Sequence, residues 1–210
     1  MAMALRKSAF LHGTPLAAAL VLLGCERPST EPEPLGRAAH GDGFVLAQAG
    51  GPTVARARAE LEPVDGSDAR GSVEFRPGAD GALEIVAAVS GMEPGTYGIH
   101  VHEVGDCSGD AASAAGDHFS PDGDTHGGPY DSRGERHAGD LGNITVDSRG
   151  EGRKEVSLEE LALGGRYGVV GRAVIVHSGE DDLQSQPSGE SGDPIACGVI
   201  EPAPASRAPG

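Results

Sequence analysis

From about Thr53 onward the chain alternates apolar and polar residues in short runs, the two-residue period of a half-buried strand. In "VARARAELEPV" (54–64) Ala57, Ala59 and Leu61 fall on one face, with Arg56, Arg58, Glu60 and Glu62 on the other. "DGSD" then turns the chain, "GSVEFRP" (71–77) alternates again, "GADG" turns, and "ALEIVAAVSG" (82–91) follows. Further strands are predicted in "GTYGIHVHE" (95–103), in a hairpin around "DSRG" within 141–157, in "RAVIVH" (172–177) and in "IACGVIEP" (195–202). About eight short strands without a long helical period predict an antiparallel sandwich or barrel. "SLEELALGG" (157–165) has room for one turn of helix. Two stretches, 105–139 and 178–194, are longer loops than a compact domain carries without a function. The domain is expected to span 53–201, with 202–210 a disordered tail.

Composition strengthens this picture: 34 Gly, 15 Pro and only 3% aromatic residues suit many turns and short strands better than a helical bundle. Sixteen Lys and Arg against 32 Asp and Glu give a net charge of -16, which excludes nucleic acid and anionic headgroups as electrostatic partners. Residues 1–24 read as a signal peptide, with Arg6 and Lys7 ahead of an apolar run too short and interrupted to span a membrane. "LLGC" resembles a bacterial lipobox, which makes Cys25 the lipidated residue and 25–52 a flexible tether; only "FVLAQA" within it could pack. The domain is then exported, in the periplasm or cell envelope, and meets the membrane only through its lipid anchor. Of the three cysteines, Cys107 and Cys197 remain as an even pair in a compartment that permits disulfides, and they are expected to be bridged.

Candidate chemistry gathers in the histidines. In "GIHVHEVGDC" (98–107), His100 and His102 share one face of a strand while Ile99 and Val101 share the other. Taken alone, the pair fits a wet sheet face as well as a metal. His12 and His40 precede the domain; the others, His100, His102, His118, His126, His137 and His177, all fall at strand ends or in the long loop. Asp140 follows His137 by three residues, and the set offers two metal sites of imidazole and carboxylate type.

The motifs "GIHVHEVGDC", "AGDHFSP", "HGGP", "RHAGDLGN", "AVIVH" followed by "EDDL", and "ACGVI" resemble the copper/zinc superoxide dismutases, in that family's order, over about residues 54–201. The resemblance implies an eight-stranded antiparallel Greek-key, immunoglobulin-like fold. It implies an enzyme that dismutes superoxide to dioxygen and hydrogen peroxide by a copper redox cycle. Copper would be held by His100, His102, His118 and His177, and zinc by His118, His126, His137 and Asp140. His118 would bridge the two metals and act in catalysis. Asp181 would hydrogen-bond His100 and His126 from behind, and Cys107–Cys197 matches the family's disulfide. Family members are homodimers or monomers, and the sequence leaves that choice open.

Two departures weigh on the activity. The family usually carries an arginine three residues before the last cysteine, and Pro194 stands there. The loop 178–194 holds Glu180, Asp181, Asp182, Glu190 and Asp193 and no Lys or Arg. Arg133, Arg136 and Arg172 are the candidates to guide an anion instead. The insertion "YDSRGE" lengthens the segment between His126 and His137, at little entropic cost. The alternative function is a non-enzymatic copper- and zinc-binding envelope protein. "NIT" at Asn143 matches a glycosylation acceptor, expected here to be chance.

Overall fold

A computed structural model describes residues 54–204. The expected signal peptide, Cys25 and the tether lie outside these residues, as do 205–210 of the expected tail. Eight strands form: β1 (Ala57–Pro63), β2 (Arg70–Pro77), β3 (Leu83–Ser90), β4 (Gly95–His102), β5 (Asp140–Val146), β6 (Glu151–Leu158), β7 (Ala173–His177) and β8 (Pro194–Pro202). They close into one antiparallel barrel in the order β1-β2-β3-β6-β5-β4-β7-β8. The connections from β3 to β4 and from β6 to β7 cross the barrel instead of joining neighbours, which is the Greek-key pattern.

Alternation decides the inside. Ala57, Ala59 and Leu61 of β1, Val73 and Phe75 of β2, and Leu83, Ile85, Ala87 and Val89 of β3 all enter the core. Strand β7 is buried along its whole length because it is covered on both sides. Val174 and Val176 join the barrel core, while Ala173 and Ile175 pack outward beneath Ala112, Ala115 and Cys197. His100 pairs with Ile175 and His102 with Ala173, so this outer, loop-covered face of β4 and β7 is where the two histidines point.

Two expectations are corrected. "SLEELALGG" holds no helix: Ser157 and Leu158 finish β6 against Glu84 and Leu83, and an extended return follows, fixed by Ala162 N–H to Tyr167 O and Val169 N–H to Ala162 O. Leu161 and Leu163 alternate inward there, so burial of a period-two pattern overrides helix propensity. The helical residues described lie instead in the first long loop, a kinked 3₁₀ segment at Asp110–Ala115. The tail begins inside the ladder, since Pro202 pairs with Ala57 and Ala203 N–H donates to Arg56 O at 2.9 Å.

Candidate metal centre

The long loops are pinned to the barrel where β4, β5 and β7 meet. Cys107 and Cys197 are bonded, sulfur to sulfur, and tie the first loop to β8. His102 and His118 form an isolated bridge, so the loop runs alongside the end of β4 and returns His118 to it. A bulge between Gly98 and His100 offsets β4 against β5 and sets His100 opposite Asp140, the first residue of β5. All six histidines of the domain, with Asp140 and Asp181, are buried.

They form two groups that share one member. His100, His102, His118 and His177 each offer one ligand atom, these atoms lying within 4.8 Å of one another, and His118, His126, His137 and Asp140 do the same. Asp140 Oδ1 lies 2.9, 3.1 and 3.3 Å from Nδ1 of His118, His126 and His137. Its Oδ2 accepts the backbone N–H groups of Gly127 (3.0 Å) and His137 (2.8 Å), which fix the carboxylate.

Hydrogen bonds on the outer edge of each ring decide which nitrogen faces inward. His102 Nδ1 is 2.8 Å from Gly116 O and His177 Nδ1 is 3.0 Å from Gly192 O. A carbonyl only accepts, so both Nδ1 atoms carry the proton and both Nε2 atoms present lone pairs. Those two Nε2 atoms face each other at 3.4 Å, a repulsive contact unless a cation sits between them. Asp181 accepts Nε2–H of His100 through Oδ2 and of His126 through Oδ1, each at 2.8 Å, and so turns Nδ1 of both rings into the site. His100 Nδ1 and His118 Nε2 are buried without a hydrogen-bond partner among the described residues, while His126 Nδ1 has only its ion-pair contact with Asp140 Oδ1 at 3.1 Å. A buried polar atom left unpaired costs about 1–3 kcal/mol, and two within the group of His100, His102, His118 and His177 are the mark of a cation site.

The electrostatics agree. Burial, reinforced by neighbouring His118, pushes His102 down to about 3, and burial takes His177 down to about 4 against its bond to Gly192. Burial also holds His100 well below the usual imidazole value, despite Asp181. These rings are neutral near pH 7, the form that binds a metal. Burial opposes charge on His126 too, but Asp140 and Asp181 outweigh it and raise that ring to about 9. Burial would raise both carboxyls; the adjoining His118, His126 and His137 rings hold Asp140 below the usual carboxylate range, and hydrogen bonds from His100, His126 and Leu183 do the same for Asp181.

None of the three arginines raised as guides lines the cavity over His102, His118 and His177. Arg136 is buried against Glu160 and His137 O. Arg133 is bonded to Asp122 and Tyr167. Arg172 donates to Gly168 O and Glu103 O and lies 3.4 Å over the Phe119 ring. Pro194 opens β8 opposite His177.

Sequence reasoning missed three residues that hold the centre together. Asn143 and Gln186 clamp the loops through paired amide bonds. Gln186 accepts His126 N–H at 2.8 Å and donates to His126 O at 2.9 Å. Gly189, at φ +68, clears space for the Asp181–His126 bond, since a Cβ there would overlap Asp181 Oδ1 and lie 2.6 Å from His126 Nε2. None of the three titrates or binds metal, so only "RHAGDLGN" carried a signal, and for Asn143 alone.

Comparison with known proteins points the same way. A family model described as "Copper/zinc superoxide dismutase (SODC)" matches residues 69–200. The "Copper chaperone for superoxide dismutase" of Rattus norvegicus is 39% identical over 137 residues, covering 62% of this chain. The chain spans 48% of that relative's length. The crystal structure of the clock protein EA4 superposes with a TM-score of 0.67 at 36% identity, covering 73% of this chain and 98% of that one. With a closed Greek-key barrel, two histidine groups that share His118, and a family match over most of the domain, the chain belongs to the copper/zinc superoxide dismutase family.

Proposed function

We propose that this protein dismutes superoxide, with copper held by His100, His102, His118 and His177 and zinc by His118, His126, His137 and Asp140. Copper held there would supply one-electron redox chemistry for superoxide, and zinc would supply fixed charge. The observation that carries the reading is His118, the residue common to both groups, with Nδ1 on Asp140 and Nε2 buried without a hydrogen-bond partner among the described residues. A protein that only stores metal has no evident need for one ring to serve both groups.

The chain's own residues set the stage for that chemistry. Asp181 fixes the tautomers of His100 and His126 together, so one carboxylate orients a ring in each group. His118 Nε2 is placed to hold a proton when it is not engaged and to release it toward the cavity. Gly116 O and Gly192 O keep His102 and His177 in the tautomer that presents Nε2.

The second reading, a copper- and zinc-binding protein without turnover, is favoured by one observation: no guanidinium or ammonium lines the cavity among the described residues. The likeness to a copper chaperone adds weight to it. We further propose that the chain is an exported lipoprotein anchored through Cys25. A Cys107–Cys197 disulfide suits an oxidising compartment, and labelling with a radioactive fatty acid in a bacterial host, lost in Cys25→Ala, tests the anchor.

The decisive assay is superoxide dismutation by protein reconstituted with copper and zinc, beside Pro194→Arg. Turnover well above that of free copper in the unaltered protein supports the enzyme. Full metal loading with no turnover, gained only in Pro194→Arg, hands the conclusion to the binding protein.

A further inference from the structure

The cavity over the copper-side histidines has a volume of about 410 Å³ and is walled by residues of both long loops. His102, His118 and His177 line it together with His137 of the other group and with two acids, Glu103 and Asp117. Each acid adjoins a histidine in the chain, Glu103 after His102 and Asp117 before His118. A backbone hydrogen bond from Glu103 N–H to Asp117 O, at 3.0 Å, fixes the two segments side by side, and both side chains are exposed. His118, whose Nε2 is buried without a hydrogen-bond partner among the described residues, is part of the same wall.

We infer that this mouth selects by charge: it admits the positive copper ion and retards the superoxide anion, and Glu103 and Asp117 set the sign. The inference rests on the copper site proposed above. Two like charges at a cleft with low-dielectric walls concentrate counter-ions and deplete co-ions, which changes association rates by about 10 to 10³-fold. No Lys or Arg is among the residues that line the cavity; Arg172, which donates to Glu103 O at 2.7 Å, lies outside that lining and offsets part of the Glu103 charge, leaving Asp117 to carry the rest. The net charge of -16 acts in the same direction. Salt screens such fields beyond a Debye length of about 8 Å at physiological ionic strength. One cavity therefore shows opposite salt responses for its two visitors: copper uptake slows as salt rises, and dismutation quickens.

The experiment follows copper(II), added as the ion alone to zinc-loaded protein, by stopped-flow growth of its visible absorption band, and separately follows dismutation by the fully loaded protein. Native protein is compared with a Glu103→Gln/Asp117→Asn double variant and with Glu93→Gln/Glu201→Gln, which removes two charges that do not line the cavity. At low ionic strength the mouth variant should take up copper about 3- to 10-fold more slowly and dismute superoxide faster by a similar factor, while the control matches native protein. Equal copper uptake rates in native and mouth variant would overturn the inference, as would native dismutation that slows with added salt. Charge-dependent copper uptake without any dismutation supports cation selection and defeats the enzyme reading alone. No copper uptake by any of the three overturns the metal site, and this inference with it.

Discussion

Asn143 and Asp181 exchange two hydrogen bonds of 2.8 Å, Asn143 Nδ2 donating to Asp181 O and Asp181 N–H donating to Asn143 Oδ1. The pair joins β5 to the second long loop across 38 residues of sequence and holds Asp181 where it reaches both His100 and His126. The side chain that a glycosylation motif would modify is thus already committed. Asn143→Ala should lower the stability of the metal-free protein by about 2 kcal/mol, two bonds at about 1 kcal/mol each. Zinc affinity should fall by about 10- to 100-fold, as when the support behind a ligand is lost. Urea unfolding and a competition titration with a zinc chelator check the two effects.

Gly189→Ala should be more damaging than a place in a long loop implies. The backbone there sits at φ +68, and the added Cβ collides with Asp181 Oδ1 close to His126 Nε2. The Asp181–His126 bond must lengthen or the loop must move, so the variant is expected to load zinc poorly while retaining the barrel. Far-ultraviolet circular dichroism unchanged from the native protein, with zinc stoichiometry well below native, is the expected result. Native zinc affinity in this variant would mean that the bond to Asp181 does not position His126.

The metal-free protein should lose stability steadily as pH falls from about 6.5 toward 4. His102 and His177 sit at about 3 and about 4 in the fold, against about 6.5 in an unfolded chain. A ring whose value folding depresses contributes fully above the unfolded value, and that contribution disappears as pH falls through the window down to the folded one. His100 shifts in the same direction, and Asp140 and Asp181, both held low, extend the loss below about pH 4. His126, raised to about 9, runs the other way: its contribution is complete below about 6.5 and is lost as pH rises through 9. A stability maximum near neutrality follows, and urea midpoints measured from pH 4 to 10 in chelator locate it.

Opening the Cys107–Cys197 bridge should cost roughly 4 kcal/mol, the loop-closure entropy of a cross-link with a sequence separation of 90. The bridge also holds the first loop over Ala173 and Ile175, so the Cys107→Ser/Cys197→Ser variant should expose that outer cluster as well. A lowered midpoint in thermal unfolding, together with faster proteolysis within 105–117, is the expected pair of results. An unchanged midpoint would show that packing beneath the loop suffices without the cross-link.

Much of this molecule was legible in the chain. Alternation in "VARARAE" and "GSVEFRP" is a local signal, fixed by the opposite facing of successive side chains, so strands and core face could be read directly. The spacing of His100 and His102 carried the same information about a shared face, and the motif order supplied the rest of the set. What the sequence could not contain was the partnership between distant segments. The helix expected at 157–165 gave way to an extended return because Leu161 and Leu163 had a barrel end to cover. The facing of each imidazole nitrogen was decided by Gly116 O, Gly192 O and Asp181, and the loops were locked by Asn143 and Gln186 across 38 and 60 residues. The arginines raised as anion guides are engaged by Glu160, Asp122 and backbone carbonyls. Hydrogen bonds and ion pairs of this kind depend on where the folded chain brings its parts together, and a one-dimensional pattern of polarity holds no record of that.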